Sequence, residues 1–166
     1  MIGMAGVFPG SPDLDTFWRH LAAGADLIGQ PAPERWPDAD RPWGGFIDGI
    51  DRFDARAFDI SPREAELMDP QQRLFLQAVW HAFEDAGYRR EEVAGTRTGL
   101  FAGVAAADYA SLLAAAGVAV EAYSSTGNAH SVLANRASYH FDLRGPSEAI
   151  DTACSSSLVA IHRALE

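Results

Sequence analysis

The sequence is poor in cysteine, in positive charge and in long uncharged apolar runs. It holds a single cysteine, Cys154, in 166 residues. No internal disulfide can form, which suits a reducing compartment such as the cytoplasm. Thirteen basic residues stand against 23 acidic ones, for a formal net charge of -10. A surface of that sign repels phosphate backbones and argues against nucleic acid as a partner. The N-terminus, MIGMAGVFPG, has no basic region ahead of an apolar stretch, so a signal peptide is not supported. The longest weakly charged stretch, residues 98–120, is interrupted by Asp108 and by glycines. It reads as a buried strand followed by an alanine-rich helix, not as a membrane span. Internal repeats, low-complexity tracts and linkers are also missing.

Several chemistries lack their motifs. GMAGVFPG does not have the G-x-G-x-x-G spacing, and Pro9 would break the helix that a dinucleotide fingerprint needs. There is no G-x-S-x-G, no Walker lysine motif and no H-E-x-x-H. DADRP (38–42) and DGIDRFD (48–54) bring aspartates together but match no calcium loop, so turn and cap roles are expected of them. Neither a metal site nor a directly bound cofactor is predicted.

What is present, at 48% apolar residues, is enough to bury a core for one domain of ordinary size. Residues 1–7 read as the end of an apolar strand, running into Pro9 and Gly10. SPDLDTFWRHLAAG (11–24) reads as a helix capped by Ser11 or Asp13, with Leu14, Phe17, Trp18 and Leu21 on one face. Residues 29–54 form an irregular excursion in which GGFI could make a short strand. SPREAELMDPQQRLFLQAVWHAFEDAG (61–87) is the clearest helical segment. Ser61 and Glu64 have capping-box spacing, and Asp69, Pro70 and Gln72 repeat the start signal. The second start is where the long helix is expected to begin. Its stripe is Leu74, Phe75, Ala78, Val79, Ala82 and Phe83, and Gly87 ends it. Further on, TGLFAGV (98–104) reads as a strand, DYASLLAAAG as a helix, VLANRASYHFDL (132–143) as a helix, SEAIDTA (147–153) as a strand and CSSSLVAIHRALE as a helix. Alternation of this kind predicts an α/β domain around a buried sheet.

Cys154 therefore falls where a strand turns into a helix. The free N–H groups and positive dipole end of a helix start stabilise a thiolate, and a thiol there can fall from about 8.5 toward 7 or lower. Ser155, Ser156 and Ser157 tolerate a helix start, can bond its free amides and leave room beside the sulfur. The helix behind them is apolar on nearly every face, through Leu158, Val159, Ile161 and Leu165, so it is expected to be buried in a complete fold. A lone cysteine is more often a small buried hydrophobe, and the seam alone does not make it a nucleophile. It also wants a base. His162 lies eight helical residues away, about 12 Å along the axis, too far to pair directly. His81 is expected to be solvated and His20 to sit at a helix C-terminus. Spacing does not place His130 or His140.

A larger set of motifs follows in order along the chain: IGMAGVFPG (2–10), FWRHLAAG (17–24), GGFIDGIDRFDARAFDISPREAELMDPQQRL (44–74), EDAG (84–87), GTRTGLFAG (95–103), TGNAHSVLANRASYHFDLRGPS (126–147) and DTACSSSLVA (151–160). In this order and spacing the chain resembles the N-terminal part of a β-ketoacyl synthase (ketosynthase) domain of the modular polyketide synthase type. The resemblance implies a thiolase-like α/β fold, present here as its N-terminal half. It would have a mixed sheet, helices on both faces and a buried nucleophile helix. Residues 1–166 would be a partial domain, under half of a ketosynthase, with the C-terminal half absent. Cys154 would be the acyl-accepting nucleophile. Thr126, Gly127 and Asn128 would shape the pocket or the dimer interface. The two catalytic histidines and the lysine of the family would lie downstream, one histidine in a His-Gly-Thr-Gly-Thr motif that this chain lacks.

The implied partners are acyl and malonyl thioesters on the phosphopantetheine arm of an acyl carrier protein, and a second copy of the parent chain in a homodimer. The implied reaction is decarboxylative Claisen condensation, which this chain alone is not expected to complete. With half the fold missing, the last helix is expected to expose apolar surface. The competing reading is a non-catalytic fragment, or an interaction relic of a thiolase-like protein.

Overall fold

The computed structural model describes residues 1–36 and 40–166. Asp38, in the first of the two aspartate-rich stretches, lies outside the described residues. The described elements are α1 (Leu14–Ala22), α2 (Pro62–Leu67), α3 (Pro70–Asp85), α4 (Arg90–Val93), β1 (Leu100–Gly103), α5 (Tyr109–Ala115), α6 (Ala122–Asn128), α7 (His130–His140), β2 (Ser147–Ile150) and α8 (Ser156–Leu165). Short 3-10 turns occupy Ala55–Phe58 and Ala153–Ser155.

Local chemistry sets the helix starts. Asp13 caps α1 by accepting from the Thr16 N–H at 2.7 Å, and that bond holds its carboxyl below the ordinary carboxylate value. Ser61 caps α2 by accepting from the Glu64 N–H. Asp69 caps α3 by accepting from the Gln71 N–H, with Pro70 in the first helical position. The doubled start signal in the sequence thus marks two helices, and the long one does begin at the second. Asp54 of the second aspartate-rich stretch caps the 3-10 turn at Ala57. The helix α6 carries no comparable signal in the sequence. Its Glu121 cap has a reciprocal bond with Ser124 in place of the usual Ser-to-Glu order.

β1 and β2 pair in parallel, Leu100 opposite Ser147 and Gly103 opposite Ile150. Alternate residues of β1 serve opposite faces. Leu100 and Ala102 enter the main core with Met68, Leu76, Ala134, Ala137 and Phe141. Gly103 faces the start of α8. Helices α7 and α8 therefore cover the two faces of one small sheet. The expected mixed sheet is, among the described residues, this parallel pair only. Residues 1–7 are not a strand, because no described strand lies beside them to pair with. They run along the C-terminal end of α3 instead, where the Met4 N–H donates to Asp85 at 2.7 Å. GGFI contributes only an isolated bridge, Gly44 with Gly29.

One expectation about burial is corrected. The stripe predicted on α3 is divided between two environments. Phe75, Val79 and Phe83 pack against the core, whereas Leu74, Phe75 and Ala78 line an open groove. The residues of α3 that are fully buried are Gln72, Arg73 and Leu76. Gln72 sits inside because the Thr126 and Ala129 carbonyls there need a donor, whereas Arg73, its Nε buried without a partner, lies over the Tyr109 ring. The last helix, α8, exposes apolar surface as expected of a chain that holds half of the fold. It seats Ser156 and Ala160 inward, and Leu158, Ile161 and Leu165 are 72%, 58% and 82% exposed. One two-stranded sheet can cover only one side of it. No helix among the described residues is long and apolar enough to cross a membrane.

The core holds one titratable ring. His140 is 7% exposed and packs against Phe58, Trp80 and Phe141, with centroids 5.0, 6.3 and 4.8 Å away. Its Nε2 is buried without a hydrogen-bond partner. Desolvation, and then the charge of Arg90, push its pKa below the ordinary histidine value, against smaller opposing effects of Asp59 and the Phe58 backbone. The folded state therefore favours the neutral ring. Its contribution to stability is complete above about pH 6.5 and is lost as pH falls below that value, by at most about 1.4 kcal/mol per pH unit. Thermal melts at pH 7.5 and 5.5 should show a fall at acid pH that His140→Phe reduces; an unchanged pH dependence in that variant would refute the assignment.

Candidate functional site

The site is built where two parallel strands end on the same side of the sheet. β2 delivers Asp151–Cys154 and β1 delivers Val104–Asp108. The reversal from β2 into α8 is abrupt. Ala153 has φ 55°, a left-handed conformation that a residue with a Cβ adopts at a cost of about 1–2 kcal/mol. Nothing in the sequence announces this, since alanine has no preference for positive φ.

Short hydrogen bonds hold the turn. The Ala153 N–H donates to Asp151 Oδ1 at 3.0 Å. Ser156 Oγ accepts from the Thr152 N–H at 2.9 Å and donates to the Ala153 carbonyl at 2.7 Å. Ser155 Oγ lies 2.8 Å from the Thr152 carbonyl and 2.9 Å from its hydroxyl. The serines thus reach back to the turn, and Ser155 makes no side-chain cap on α8. Bonding of the new helix's own amides, expected from the sequence, is not their role. Each such bond contributes about 0.5–1.5 kcal/mol, enough together to offset the strain at Ala153.

The turn leaves Cys154 exposed, one residue before the Ser155 cap of α8. Its N–H has no hydrogen-bond acceptor among the described residues. A thiol and a free amide at one residue, at the positive end of a ten-residue helix, can attack a carbonyl carbon and donate to the oxygen that becomes anionic.

The seat of this helix is backbone on backbone. A Cβ at Gly103 would lie 2.9 Å from both the Ser156 carbonyl carbon and the Ser157 nitrogen. Glycine within a strand is the sequence signal of such an approach. Beside this contact an open groove of about 1280 Å³ runs between residues 4–7 and α3, reaching Gly103, Val104 and Ser157. Cys154 is not among its lining residues.

The other residues singled out from sequence lie elsewhere in the fold. Gly127 is buried, and a Cβ on it would sit 2.6 Å from the Leu67 carbonyl oxygen. The Asp69 N–H donates to the Gly127 carbonyl at 2.9 Å. Asn128 Nδ2 donates to the carbonyls of Leu67 and Ser124. The Thr126 hydroxyl donates to the Tyr123 carbonyl. These three residues bolt α6 to the junction of α2 and α3, and no hydrogen bond joins them to Cys154.

The five histidines are all engaged or remote. His20 bonds Ser11, His81 pairs with Glu84, His130 bonds the Ala106 carbonyl, His140 sits in the aromatic core, and His162 lies 3.5 Å from Glu166. None is bonded to the thiol. Among the described residues no cluster of histidine, cysteine and carboxylate side chains is placed to hold a metal ion.

A cysteine on a parallel-strand-to-helix turn, in a unit with helices on both faces of the sheet, is an α/β arrangement, and the structural matches below give it as that of the thiolase-like ketosynthases. The family model for the β-ketoacyl synthase N-terminal domain matches residues 1–166, and the chain belongs to that enzyme family. It is 48% identical over 177 aligned positions to the polyketide synthase ThaG of Burkholderia thailandensis, covering 99% of this chain and 3% of that protein. It is 45% identical over 178 positions to the polyketide synthase PksN of Bacillus subtilis, again covering 99% of this chain and 3% of that one. Among solved structures, the ketosynthase from module 6 of the Bacillus subtilis bacillaene synthase superposes with a TM-score of 0.86 at 39% identity, over 98% of this chain and 27% of that chain. The oxazolomycin ketosynthase domain of Streptomyces albus gives the same TM-score and identity over 99% and 30%. The chain thus spans under a third of these ketosynthases and a small part of the curated relatives.

The contact at Gly103 yields a prediction. Gly103→Val should push the start of α8 off β1, cost about 1–3 kcal/mol as overpacking does, and alter the alkylation rate of Cys154. A melt and an iodoacetamide time course check it; native values in both would show that the approach is not needed.

Proposed function

We propose that this chain is the nucleophile-bearing part of a ketosynthase domain of a polyketide synthase, and that Cys154 is its acyl acceptor. The observation that carries the reading is the exposed thiol on the strained turn at Ala153, beside an unpartnered N–H at the start of α8.

In the first half-reaction an acyl group arrives as a thioester on the phosphopantetheine arm of an acyl carrier protein. The Cys154 thiolate attacks the carbonyl carbon and the Cys154 N–H donates to the oxyanion. The new carbon–sulfur bond forms as the pantetheine carbon–sulfur bond breaks, and the departing thiolate takes up a proton. Exchange of one thioester for another is nearly neutral, so the acyl group stays reactive for the next step. A serine ester there would be a sink.

In the second half-reaction a malonyl-type extender loses carbon dioxide, and its enolate attacks the Cys154-bound carbon, so that the new carbon–carbon bond forms as the bond to the Cys154 sulfur breaks and the thiolate is released. That step needs donors that stabilise both the enolate and the second oxyanion. Loss of one such donor typically costs about 10²–10³ in rate. With His20, His81, His130, His140 and His162 all occupied or distant from the thiol, those donors come from the remainder of a full ketosynthase. The same remainder covers the outer face of α8 and residues 1–7, and residues 1–166 are a partial domain. The parent protein works as a cytoplasmic homodimer, and Thr126, Gly127 and Asn128 shape the pocket by fixing α6.

The test is mass spectrometry of the chain, and of a full ketosynthase containing it, after exposure to an acyl-pantetheine thioester. Acyl mass should appear on the peptide that holds Cys154 and vanish in Cys154→Ala. Condensed product should appear only with the full domain. Acyl mass retained in the alanine variant would assign the nucleophile to another residue.

A further inference from the structure

Ser156 is 5% exposed, and its hydroxyl bonds the backbone on the N-terminal side of Cys154 at two points. Its Oγ accepts from the Thr152 N–H at 2.9 Å and donates to the Ala153 carbonyl at 2.7 Å. The direction of each bond is fixed, because a backbone N–H only donates and a carbonyl only accepts. The single hydroxyl hydrogen therefore lies on the Ala153 oxygen. The backbone N–H of Ser156 donates to the same oxygen.

The Ala153 carbonyl and the Cys154 N–H belong to one peptide unit. Among the described residues every peptide bond is trans, so the C=O and the N–H of that planar unit point in opposite directions. A side chain that pins the oxygen therefore aims the hydrogen. The oxygen is held toward the buried Ser156, and the N–H is directed away from it, with no acceptor among the described residues. Ala153, at φ 55°, sits in a sparsely populated conformation, so its own backbone preference does not hold the plane that follows it.

We propose that Ser156 is a positioning residue for acyl transfer: its buried hydroxyl sets the Ala153–Cys154 peptide plane so that the Cys154 N–H meets the oxyanion. The proposal rests on the reading of Cys154 as acyl acceptor and deepens it. The Ser156 oxygen is occupied by its two backbone bonds, so it acts through the amide and not on the sulfur.

Two electrophiles separate the aim of the amide from the reactivity of the thiol. Attack on a thioester passes through an oxyanion that the amide stabilises, whereas iodoacetamide loses iodide at a saturated carbon and forms no oxyanion. In a full ketosynthase containing this chain, both rates are read by mass spectrometry on the peptide that holds Cys154, with an acyl-pantetheine thioester and with iodoacetamide. Ser156→Ala should lower the acylation-to-alkylation ratio by roughly tenfold, short of the about 10²–10³ that follows outright loss of an oxyanion donor. Ser156→Thr keeps the hydroxyl and should restore the native ratio. A merely structural role would slow both reactions alike, so an unchanged ratio in Ser156→Ala overturns the proposal. If the alanine variant loses its native melt, Ser156→Val repeats the test against Ser156→Thr at equal volume, and equal ratios in that pair overturn it. Native protein that is alkylated at Cys154 but never acylated there overturns the acyl-acceptor reading and the proposal together. Native acylation with an unmoved ratio in the variants overturns the proposal alone.

Discussion

The approach of α8 to β1 at Gly103 fixes everything around the thiol. Strand and helix meet there at backbone distance, with no side chain between them. The helix axis, its positive end and the turn before it are thereby referenced to the sheet. A larger residue would move all three together. Packed interiors transmit such a shift because they have few voids to absorb it.

Given that seat, the chain must reverse between Ile150 and Ser156 in very few residues. The left-handed Ala153 is the cost of this geometry, and the Asp151, Ser155 and Ser156 side chains offset it locally. The row of serines after Cys154 is therefore a brace for the turn as much as clear space for a substrate. This division of labour explains why the turn holds its shape while Cys154 stays exposed.

A second polar hub organises the opposite side of the core. Gln72 donates to the carbonyls of Thr126 and Ala129 and accepts from Arg136, and Arg136 pairs with Glu64 at 2.6 Å with both side chains mostly buried. These bonds lock α2, α3, α6 and α7 into one frame. Burying a charged pair brings little net stability unless its remaining groups are bonded, and here the Arg136 Nε also donates to Gln72 Oε1 at 3.0 Å. Gln71, one residue earlier on α3, turns outward from the same frame and holds the segment after β1. Neighbouring glutamines thus hold the core and the segment after β1.

Sequence alone determined the helix starts at Asp13, Ser61 and Asp69, the strand-to-helix seam at Cys154, and the family. Each of these is a matter of local bonding or of ordered motifs that lie close together along the chain. It did not determine the extent of the sheet or the partners of His130. Those depend on which elements end up side by side, and residues 1–7 and α8 both present apolar surface that the described residues do not cover. The strain at Ala153 was also invisible, because alanine carries no signal for positive φ. Only the packing of α8 against Gly103 requires that turn, and a close approach between segments about 50 residues apart exists nowhere but in the folded chain.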